Sequence, residues 1–360
     1  MVMEYWNEQL KNGIIIFAVI LFFAGCKDPV TEVKILPVPS AGDSLVWRDE
    51  FNGAALDLSK WTYETGTGVN GDFGTGQIDR ATDRKENVDI VAGISKADGG
   101  CLAITTRKEN YIDRSYTSGR LTTSGKGAWG PGHTITARIW ARDVTAKGQG
   151  FAMWMMPAEK PAGQSFIMWP QGGEVDVMEY VGSMPRHNLG SVHYAWSWEN
   201  NQYAEWNHGH KGAYYSYLSN DVPVTAPSFE TFIPQPADSI LGNGSFHIYS
   251  IRWLSDRMEF AVDQQVYHIH YFKDGAAFDG GIADGQDKDG IRVVGGKRTF
   301  LSEYSNHFPE WHPFEHSMFI ILSAGVGGSD SRTYGGAVIP EAKFPCTVLV
   351  DWIRIYKNSN

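Results

Sequence analysis

The sequence is poor in cysteine, with three among 360 residues, and it contains no cluster of positive charge. Cysteine and histidine do not recur at the spacing of a zinc site, which excludes the common zinc-binding motifs. A glycine-rich phosphate loop and a Gly-x-Ser-x-Gly elbow are also absent, so the usual nucleotide-binding and serine-hydrolase motifs are excluded. With a net charge of −10 and no basic run, the chain is not suited to bind nucleic acid.

The longest apolar run is residues 13–24, GIIIFAVILFFA. It is shorter than the roughly 20 residues of a transmembrane helix and is typical of a signal-peptide core. The sequence Phe-Ala-Gly-Cys that ends at Cys26 is similar to a bacterial lipobox, in which the cysteine is lipidated. Residues 26–44 contain proline and polar residues and predict a lipidated tether. We therefore expect a lipoprotein signal peptide at residues 1–25 and an exported protein, anchored at the outer membrane, the cell surface or the periplasmic side.

The two remaining cysteines, Cys101 and Cys346, each stand at the start of a run of β-forming residues. In an exported protein such a pair either forms a disulfide or stays reduced. A disulfide would fit if the two strands began side by side. The sequence leaves both states open.

Glycine and aromatic residues are abundant, with 40 Gly, 13 Trp and 16 Tyr. From residue 45 to residue 360 there is no break in composition, no internal repeat and no long amphipathic helix pattern. Clusters of Gly, Pro, Asn and Asp separate short runs that predict strands. The predicted strands are residues 45–51, 87–91, 102–107, 119–123, 133–141, 150–156, 174–180, 190–194, 247–253, 258–262, 265–270, 318–322 and 347–356. So many strands predict an all-β, two-sheet jelly-roll sandwich, with long loops at residues 199–245 and 272–316.

Three acids lie within the apolar segment Glu174–Tyr180, EVDVMEY. Its valine, methionine and tyrosine favour a strand, whose side chains alternate between faces, so Glu174 and Asp176 share one face. Glu179 joins them only if one extra residue is inserted at Val177–Met178, as a β-bulge does. The two glutamate carboxyls could then approach the roughly 5–5.5 Å of retaining glycosidases, with Asp176 between them. The alternative is a solvated acidic face or a cation site.

The Glu-x-Asp-x-x-Glu pattern of residues 174–179 resembles the active-site motif of glycoside hydrolase family 16, the laminarinase and β-glucanase-like enzymes. Other segments resemble blocks of that family in the same order: residues 45–53 (LVWRDEFNG), 56–65 (LDLSKWTYET), 116–121 (YTSGRL), 246–263 (FHIYSIRWLSDRMEFAVD) and 348–356 (VLVDWIRIY). The resemblance covers nearly all of residues 45–360. It implies one catalytic domain, a β-jelly-roll with a curved sheet and an open substrate cleft on its concave face.

The resemblance also implies a retaining endo-β-glycosidase that needs no cofactor for its chemistry. By position in the motif, Glu174 would be the nucleophile, Glu179 the general acid/base, and Asp176 would hold a hydrogen bond or proton between them. Neighbouring carboxyls push their pKa values apart, so one can stay ionised while the other keeps a proton. The alternative is a non-catalytic carbohydrate-binding lipoprotein on the same scaffold, which has no need for all three acids. In either case we expect a monomer.

Besides Gln77, considered below, five residues are expected to bind substrate. Trp154 and Trp169 would stack on sugar rings, although Trp154 would also suit the core. His193, as a neutral imidazole, would hydrogen-bond the nucleophile or a sugar hydroxyl, or it is structural. Arg120 would contact substrate or only pair with a carboxylate. Trp311 would line a long loop.

Family members often carry a calcium ion on the convex face, away from the cleft. The matching acids are Glu50 and Asp351, whose hard oxygen atoms suit Ca²⁺, with backbone carbonyls completing the shell. An ordinary ion pair is the alternative for both residues. The resemblance therefore implies a possible structural Ca²⁺ at this pair of acids.

The sequence departs from the laminarinase-like members at residues 71–79, GDFGTGQID, where they commonly have a segment similar to Trp-Gly-Asn-Asn-Glu. Phe73 takes the place of the tryptophan. Gln77, together with Asp79 and Arg80, could instead recognise a sugar hydroxyl of different orientation. The expected substrate is therefore either β-1,3(1,4)-glucan or a β-galactan, the latter including marine galactans and host O-glycans.

Overall fold

Strands joined by turns make up the described part of this chain. The computed structural model describes residues 35–160, 163, 169–170, 172–195, 241–271, 313–330 and 332–359, together with the backbone of short segments between residues 198 and 299. Two single 3-10 turns occur in these ranges, at Val69–Gly71 and Pro313–Glu315.

The first twelve strands in chain order are β1 Ser44–Asp49, β2 Thr62–Tyr63, β3 Arg80–Ala81, β4 Val88–Val91, β5 Cys101–Tyr111, β6 Arg114–Ser118, β7 Arg120–Thr122, β8 His133–Trp140, β9 Gln149–Pro157, β10 Glu174–Val181, β11 His187–Ala195 and β12 Trp198–Glu199. They are followed by β13 Gln202–Tyr203, β14 His208–Ser216, β15 Phe229–Phe232, β16 His247–Trp253, β17 Arg257–Val262, β18 Gln265–Tyr271, β19 Ala276–Ala277, β20 Gly285–Gln286, β21 Arg292–Val294, β22 Lys297–Thr299, β23 Met318–Val326 and β24 Cys346–Lys357.

Two large sheets organise these strands. The first has ten strands, in the order β18-β17-β16-β8-β24-β5-β6-β3, with β1 on β24 and β4 on β5. The second has eight strands, in the order β15-β14-β11-β10-β9-β23-β7-β2. Two small sheets, β12-β13 and β19-β22-β21-β20, lie outside this pair. The predicted all-β jelly-roll class is confirmed.

The hydrophobic core lies between the two large sheets, because each strand turns every second side chain inward. In β9, Phe151, Met153 and Met155 are buried in one cluster with Ile135 of the facing sheet. Trp154, between them in sequence, points away from that cluster and is half-buried. Each fully buried apolar side chain of this size stabilises the fold by about 1.5–3 kcal/mol. We call the side of the second sheet that carries Trp154 its outer face.

All thirteen predicted strands are present, but the two predicted long loops were wrong. Residues 199–245 contain β14 and β15, which extend the second sheet beyond β11. Residues 272–316 contain the short strands β19 to β22. The sequence of β14, HGHKGAYYS, mixes glycine with polar residues, so it lacks the alternation that identifies a strand.

The predicted tether is docked on the domain from residue 35 onward. Ile35 forms an isolated bridge with Gln265, and the backbone N–H of Leu36 donates to the carbonyl of Gln264 over 2.7 Å. Leu36 is buried against Ala261 and Val266. The described part of the domain therefore begins before the predicted boundary at residue 45. Among the described residues there is no helix with the length and apolar content needed to span a bilayer.

The cysteines Cys101 and Cys346 are both buried and reduced, so the disulfide considered from the sequence does not form. They begin neighbouring strands, β5 and β24, but these strands are antiparallel and Cys346 faces Thr106. Antiparallel strands start at opposite ends, which separates the two thiols along the sheet by about 17 Å. Burial raises the pKa of each thiol to about 12.

Candidate active site

The acidic segment forms strand β10, and its pairing contains the predicted bulge. Asp176 and Glu179 are three residues apart on β10, but their partners on β11 are only two apart. The extra residue lets Val177 and Met178 both enter the core, where both are buried. Glu174, Asp176 and Glu179 consequently share the outer face. The bulge is therefore the local feature that assembles the three acids.

Asp176 occupies the centre of this group and is only 3 % exposed. Ser191, which faces it from β11, donates its hydroxyl to Oδ2 of Asp176 over 2.5 Å. Nε2 of His193 lies 3.3 Å from the same oxygen and 3.9 Å from Oε1 of Glu174. The Ser191 Oγ is also 3.5 Å from Oε2 of Glu179. Asp176 is thus linked to one glutamate through His193 and to the other through Ser191.

Trp169 lies at the edge of the acidic group and is 49 % exposed. Its indole Nε1 donates to Oε2 of Glu174 over 2.7 Å. The centre of its ring lies 5.9 Å from that of His193. One edge of the indole therefore holds Glu174 while much of the ring stays open to solvent.

The two glutamates have raised pKa values but different surroundings. Burial and the negative charge of Asp176 raise the pKa of Glu179 well above its usual value. The same causes raise the pKa of Glu174 to about 8, against the opposing effects of His193 and the Trp169 N–H. Hydrogen-bond donors and cations favour the ionised form of a carboxyl. Glu174 is therefore the better-stabilised carboxylate, and Glu179 is the better holder of a proton.

His193 is stabilised in its protonated form, which differs from the neutral imidazole expected from the sequence. Burial opposes its charged form, but the hydrogen bond to Asp176 and the charges of all three acids outweigh this and raise the pKa of His193 to about 9. The imidazolium lies closer to Asp176 than to Glu174. Because the charge of His193 depends on three acids converging around it, its own sequence context does not reveal it.

Trp154 lies on the outer face, opposite Asp176 in the pairing of β9 with β10. Its indole Nε1 donates to the hydroxyl of Ser323 on β23 over 3.0 Å. The core position that an apolar strand would also allow is therefore excluded for Trp154. Its ring lies on the strand next to the acids.

Arg120, on β7, stacks against two aromatic rings. Its guanidinium carbon lies 4.9 Å from the centre of the Trp154 ring and 4.7 Å from the centre of the Phe73 ring. Its Nε donates to the carboxylate of Glu64 over 2.5 Å. Of the two roles considered from the sequence, pairing with a carboxylate is present. The guanidinium also occupies aromatic surface that would otherwise be available to a sugar.

The loop that carries Phe73 is fixed in place from two directions. Phe73 adopts a left-handed backbone conformation with φ 54°, and its ring lies over Gly68, where a Cβ would come within 2.2 Å of it. Arg332 donates to Asp72 over 2.7 Å and to the carbonyl of Gly74 over 3.2 Å. Arg332 is separated from these partners by about 260 residues, so no local pattern could have revealed its role.

The three other residues expected to act near Phe73, namely Gln77, Asp79 and Arg80, have different surroundings in the structure. Gln77 lies over β23, where its amide takes the space that a side chain at Gly325 would need. Asp79 is only 1 % exposed and accepts the last backbone N–H of β23 over 2.7 Å. Arg80 pairs with Asp113 over 2.7 Å. Gln77 is therefore near the outer face, Asp79 is buried within the fold, and Arg80 is engaged in a partly exposed ion pair.

The residues expected to bind calcium are engaged by arginines. Arg354 donates to both carboxylate oxygens of Glu50, over 2.9 and 2.7 Å. Asp351 is buried, hydrogen-bonded to Arg138 and to the backbone N–H of Asp98. These acids do not fit a Ca²⁺ site, because their carboxylate oxygens are already paired with the guanidinium groups of Arg354 and Arg138. The ordinary ion pair considered from the sequence is therefore what the structure contains. Among the described residues, the potential metal ligands that converge belong to Glu174, Asp176 and His193. One ligand atom of each lies within 4.8 Å of the other two.

Two predicted site residues, Trp311 and Cys26, lie outside the described residues. The substrate-binding role of Trp311 and lipid attachment at Cys26 therefore stay predictions. Ser191 was missed altogether, although it stands two residues before His193 on the strand next to the acids. That spacing places both side chains on one face and was a usable signal.

Comparison with known proteins places this geometry in context. No protein-family model matches the chain. The β-glucanase of Rhodothermus marinus is 29 % identical over 316 residues, which cover 87 % of this chain and 85 % of that protein. The glucan endo-1,3-β-glucosidase A1 of Niallia circulans is 27 % identical over 88 % of this chain, and this chain spans only 38 % of its length. Among solved structures, a non-specific endo-β-1,3(4)-glucanase from family GH16 superimposes with a TM-score of 0.60 and 26 % identity, over 91 % of this chain and 95 % of that one.

The chain is similar in sequence and fold to glucanases of glycoside hydrolase family 16. Its similarity to these proteins extends across both sheets, and the bulged strand with Glu174, Asp176 and Glu179 is intact. This chain differs from the laminarinase-like pattern at residues 71–79, where Phe73 is stacked on Arg120. The acids therefore follow the family pattern, whereas the neighbouring surface is this chain's own.

Proposed function

We propose that the protein is a retaining endo-β-glycosidase that hydrolyses internal linkages of a β-1,3- or β-1,3(1,4)-glucan. The observation that carries the proposal is the bulge in β10, which places Glu174 and Glu179 on one face with Asp176 between them. A pair of carboxyls with unequal stabilisation is what a retaining mechanism requires. The relatives named as glucanases support a glucan as the substrate.

In the first step, the carboxylate of Glu174 attacks the anomeric carbon of the sugar. The Trp169 N–H and the charge of His193 favour the ionised form of Glu174 before the attack. Glu179 gives its proton to the departing glycosidic oxygen, so no free alkoxide has to leave. The products of this step are a shortened glycan and an ester between Glu174 and the sugar.

In the second step, Glu179 is a carboxylate and removes a proton from water as that water attacks the anomeric carbon. The ester bond breaks and Glu174 leaves as a carboxylate. Two displacements at the same carbon give net retention of configuration. Asp176 stays paired with protonated His193 throughout and keeps the pKa of Glu179 high through its negative charge.

A panel of polysaccharides tests this function. The purified protein is expected to release reducing ends from laminarin and from mixed-linkage β-glucan, with the β-anomer appearing first in the product. Release of short oligosaccharides early in the reaction would mark endo-action. Folded protein that binds laminarin but cleaves none of the β-glucans, agarose, porphyran or mucin glycans would instead indicate a sugar-binding protein.

A β-galactan is the second candidate substrate, and the surface around Phe73 favours it. Phe73 replaces the tryptophan of the laminarinase-like segment, and its ring is already stacked on Arg120. A sugar bound on this side would therefore contact a surface different from that of the laminarinase-like enzymes. Faster cleavage of agarose, porphyran or mucin glycans than of laminarin would identify this class.

Replacing Trp169 by Phe is expected to shift the acidic limb of the pH profile of kcat/KM to higher pH. The change removes the N–H that donates to Glu174, so the carboxylate is less stable and the pKa of Glu174 rises. The nucleophile must be ionised, so activity is lost at a higher pH than in the parent protein. Because a hydrogen bond to a charged group is worth about 1.5 kcal/mol or more, kcat/KM on the acidic side should fall about tenfold.

The measurement is initial rate against pH on the best polysaccharide of the panel. The alkaline limb, which reports Glu179, serves as the internal control and should stay in place. Phe keeps an aromatic face at position 169, whereas a Trp169→Ala variant loses both the ring and the donor. An acidic limb that does not move in Trp169→Phe would contradict the role assigned to this indole.

A further inference from the structure

The hydroxyl of Ser191 lies between two carboxylates that carry different charges during the reaction. Ser191 is fully buried, and its Oγ is 2.5 Å from Oδ2 of Asp176 and 3.5 Å from Oε2 of Glu179. A serine hydroxyl has one hydrogen, so it donates to one of these oxygens at a time. In the structure that hydrogen serves Asp176.

The negative charge moves within the site as the reaction proceeds. Before the first step, Glu174 is the carboxylate and Glu179 holds a proton. After that step, Glu174 is bound in a neutral ester and Glu179 carries the charge. The charge therefore arrives at the carboxyl that lies 3.5 Å from the Ser191 oxygen. Among the described residues, Ser191 is the side chain that lies within hydrogen-bonding reach of Glu179 as a donor.

We propose that Ser191 is a positioning residue that turns its hydroxyl from Asp176 to Glu179 when Glu179 becomes a carboxylate, and turns back when the sugar is released. The inference rests on the proposed hydrolase function. The O–H bond of Ser191 stays intact, so no proton is transferred and only the acceptor changes. The hydrogen bond stabilises the base form of Glu179 that the second step needs.

The surrounding groups allow this exchange. Nε2 of His193 is 3.3 Å from the same oxygen of Asp176, so Asp176 keeps a charged donor when Ser191 turns away. The Ser191 oxygen needs to approach Glu179 by less than about 1 Å to reach the normal length of a hydrogen bond to a carboxylate. The described ionisable groups that act on Asp176 and Glu179 include Glu174 and His193 on the same face, and Tyr267, which packs against Gly190 from the facing sheet.

The test isolates the second step with a 2,4-dinitrophenyl β-glycoside of the preferred disaccharide. This leaving group departs without a proton from Glu179, so hydrolysis of the glycosyl-enzyme limits kcat. With Ser191→Ala in the full chain, kcat near neutral pH should fall about tenfold or more, because one hydrogen bond to a charged group is lost. The value of kcat/KM, which reports the first step, should stay within about threefold.

The pH profile of kcat separates this role from a purely structural one. In Ser191→Ala the carboxylate of Glu179 forms only at higher pH, so kcat should recover as the pH rises. Ser191→Thr retains a hydroxyl and should behave like the parent protein. Ser191→Cys has a thiol of similar size that is only a weak donor, so its kcat should fall as in Ser191→Ala. If Ser191→Ala does not fold, Ser191→Cys provides the same test.

Two results would overturn the inference. One is an unchanged kcat in the variants that lack a hydroxyl. The other is a parallel fall of kcat and kcat/KM with no recovery at high pH, which would mean that Ser191 only orients Asp176. A parent protein that cleaves neither the dinitrophenyl glycoside nor any polysaccharide would refute the proposed hydrolase function instead.

Discussion

Replacing Glu174 by Gln is expected to lower kcat on the preferred polysaccharide by about 10⁴-fold or more, because an amide cannot act as the nucleophile. Glutamine has nearly the same size and shape, and Glu174 lies on the outer face of the second sheet, outside the buried core. The variant should therefore fold and bind substrate normally. The loss should be equally large on a dinitrophenyl glycoside, since every substrate needs the nucleophile.

The measurement is turnover of purified Glu174→Gln with a melting curve to establish folding. Glu50→Gln is the matched control, because Glu50 directly follows β1 of the other sheet and its carboxylate is paired with Arg354, away from the catalytic acids. It should keep near-parental turnover. A Glu174→Ala variant supplied with azide should form a glycosyl azide of inverted configuration. Turnover of Glu174→Gln above about a tenth of the parental value would remove Glu174 from the role of nucleophile.

Replacing Glu179 by Gln is expected to reduce turnover on the polysaccharide about 10²- to 10⁴-fold, the usual contribution of a general acid/base. The loss should depend on the leaving group. A dinitrophenyl glycoside needs no proton for departure, so its first step should remain close to the parental rate. The second step still needs a base, so a burst of dinitrophenol should precede a slow steady state.

Stopped-flow detection of that burst, together with rescue by azide, checks the role of Glu179. In a Glu179→Ala variant, azide should restore turnover and give a glycosyl azide of retained configuration, in contrast to the inverted product of Glu174→Ala. The alkaline limb of kcat/KM should also disappear, because it reports loss of the proton from Glu179. If both glutamate variants abolish the burst to the same extent, the division of roles is wrong.

Features that depend on neighbouring residues could be predicted from the sequence. Short runs between clusters of turn residues identified thirteen strands, and the spacing of Glu174 and Glu179 required a bulge that the structure contains. Features that depend on pairing between distant strands could not. Cys101 and Cys346 both begin strands, but only the antiparallel direction of β5 and β24 separates them. In the same way, Glu50 and Asp351 carry no local sign of the arginines that hold them.

The sequence by itself determined the all-β class, the family resemblance and the three acids on which the proposed chemistry depends. Only the tertiary structure decided how those acids are stabilised, because hydrogen bonds and charge interactions depend on distances between residues far apart in the chain. It placed Ser191 and His193 beside Asp176, the Trp169 N–H on Glu174, and Arg120 against the Phe73 ring. Burial and the charge of Asp176 then raise the pKa values of Glu174 and Glu179.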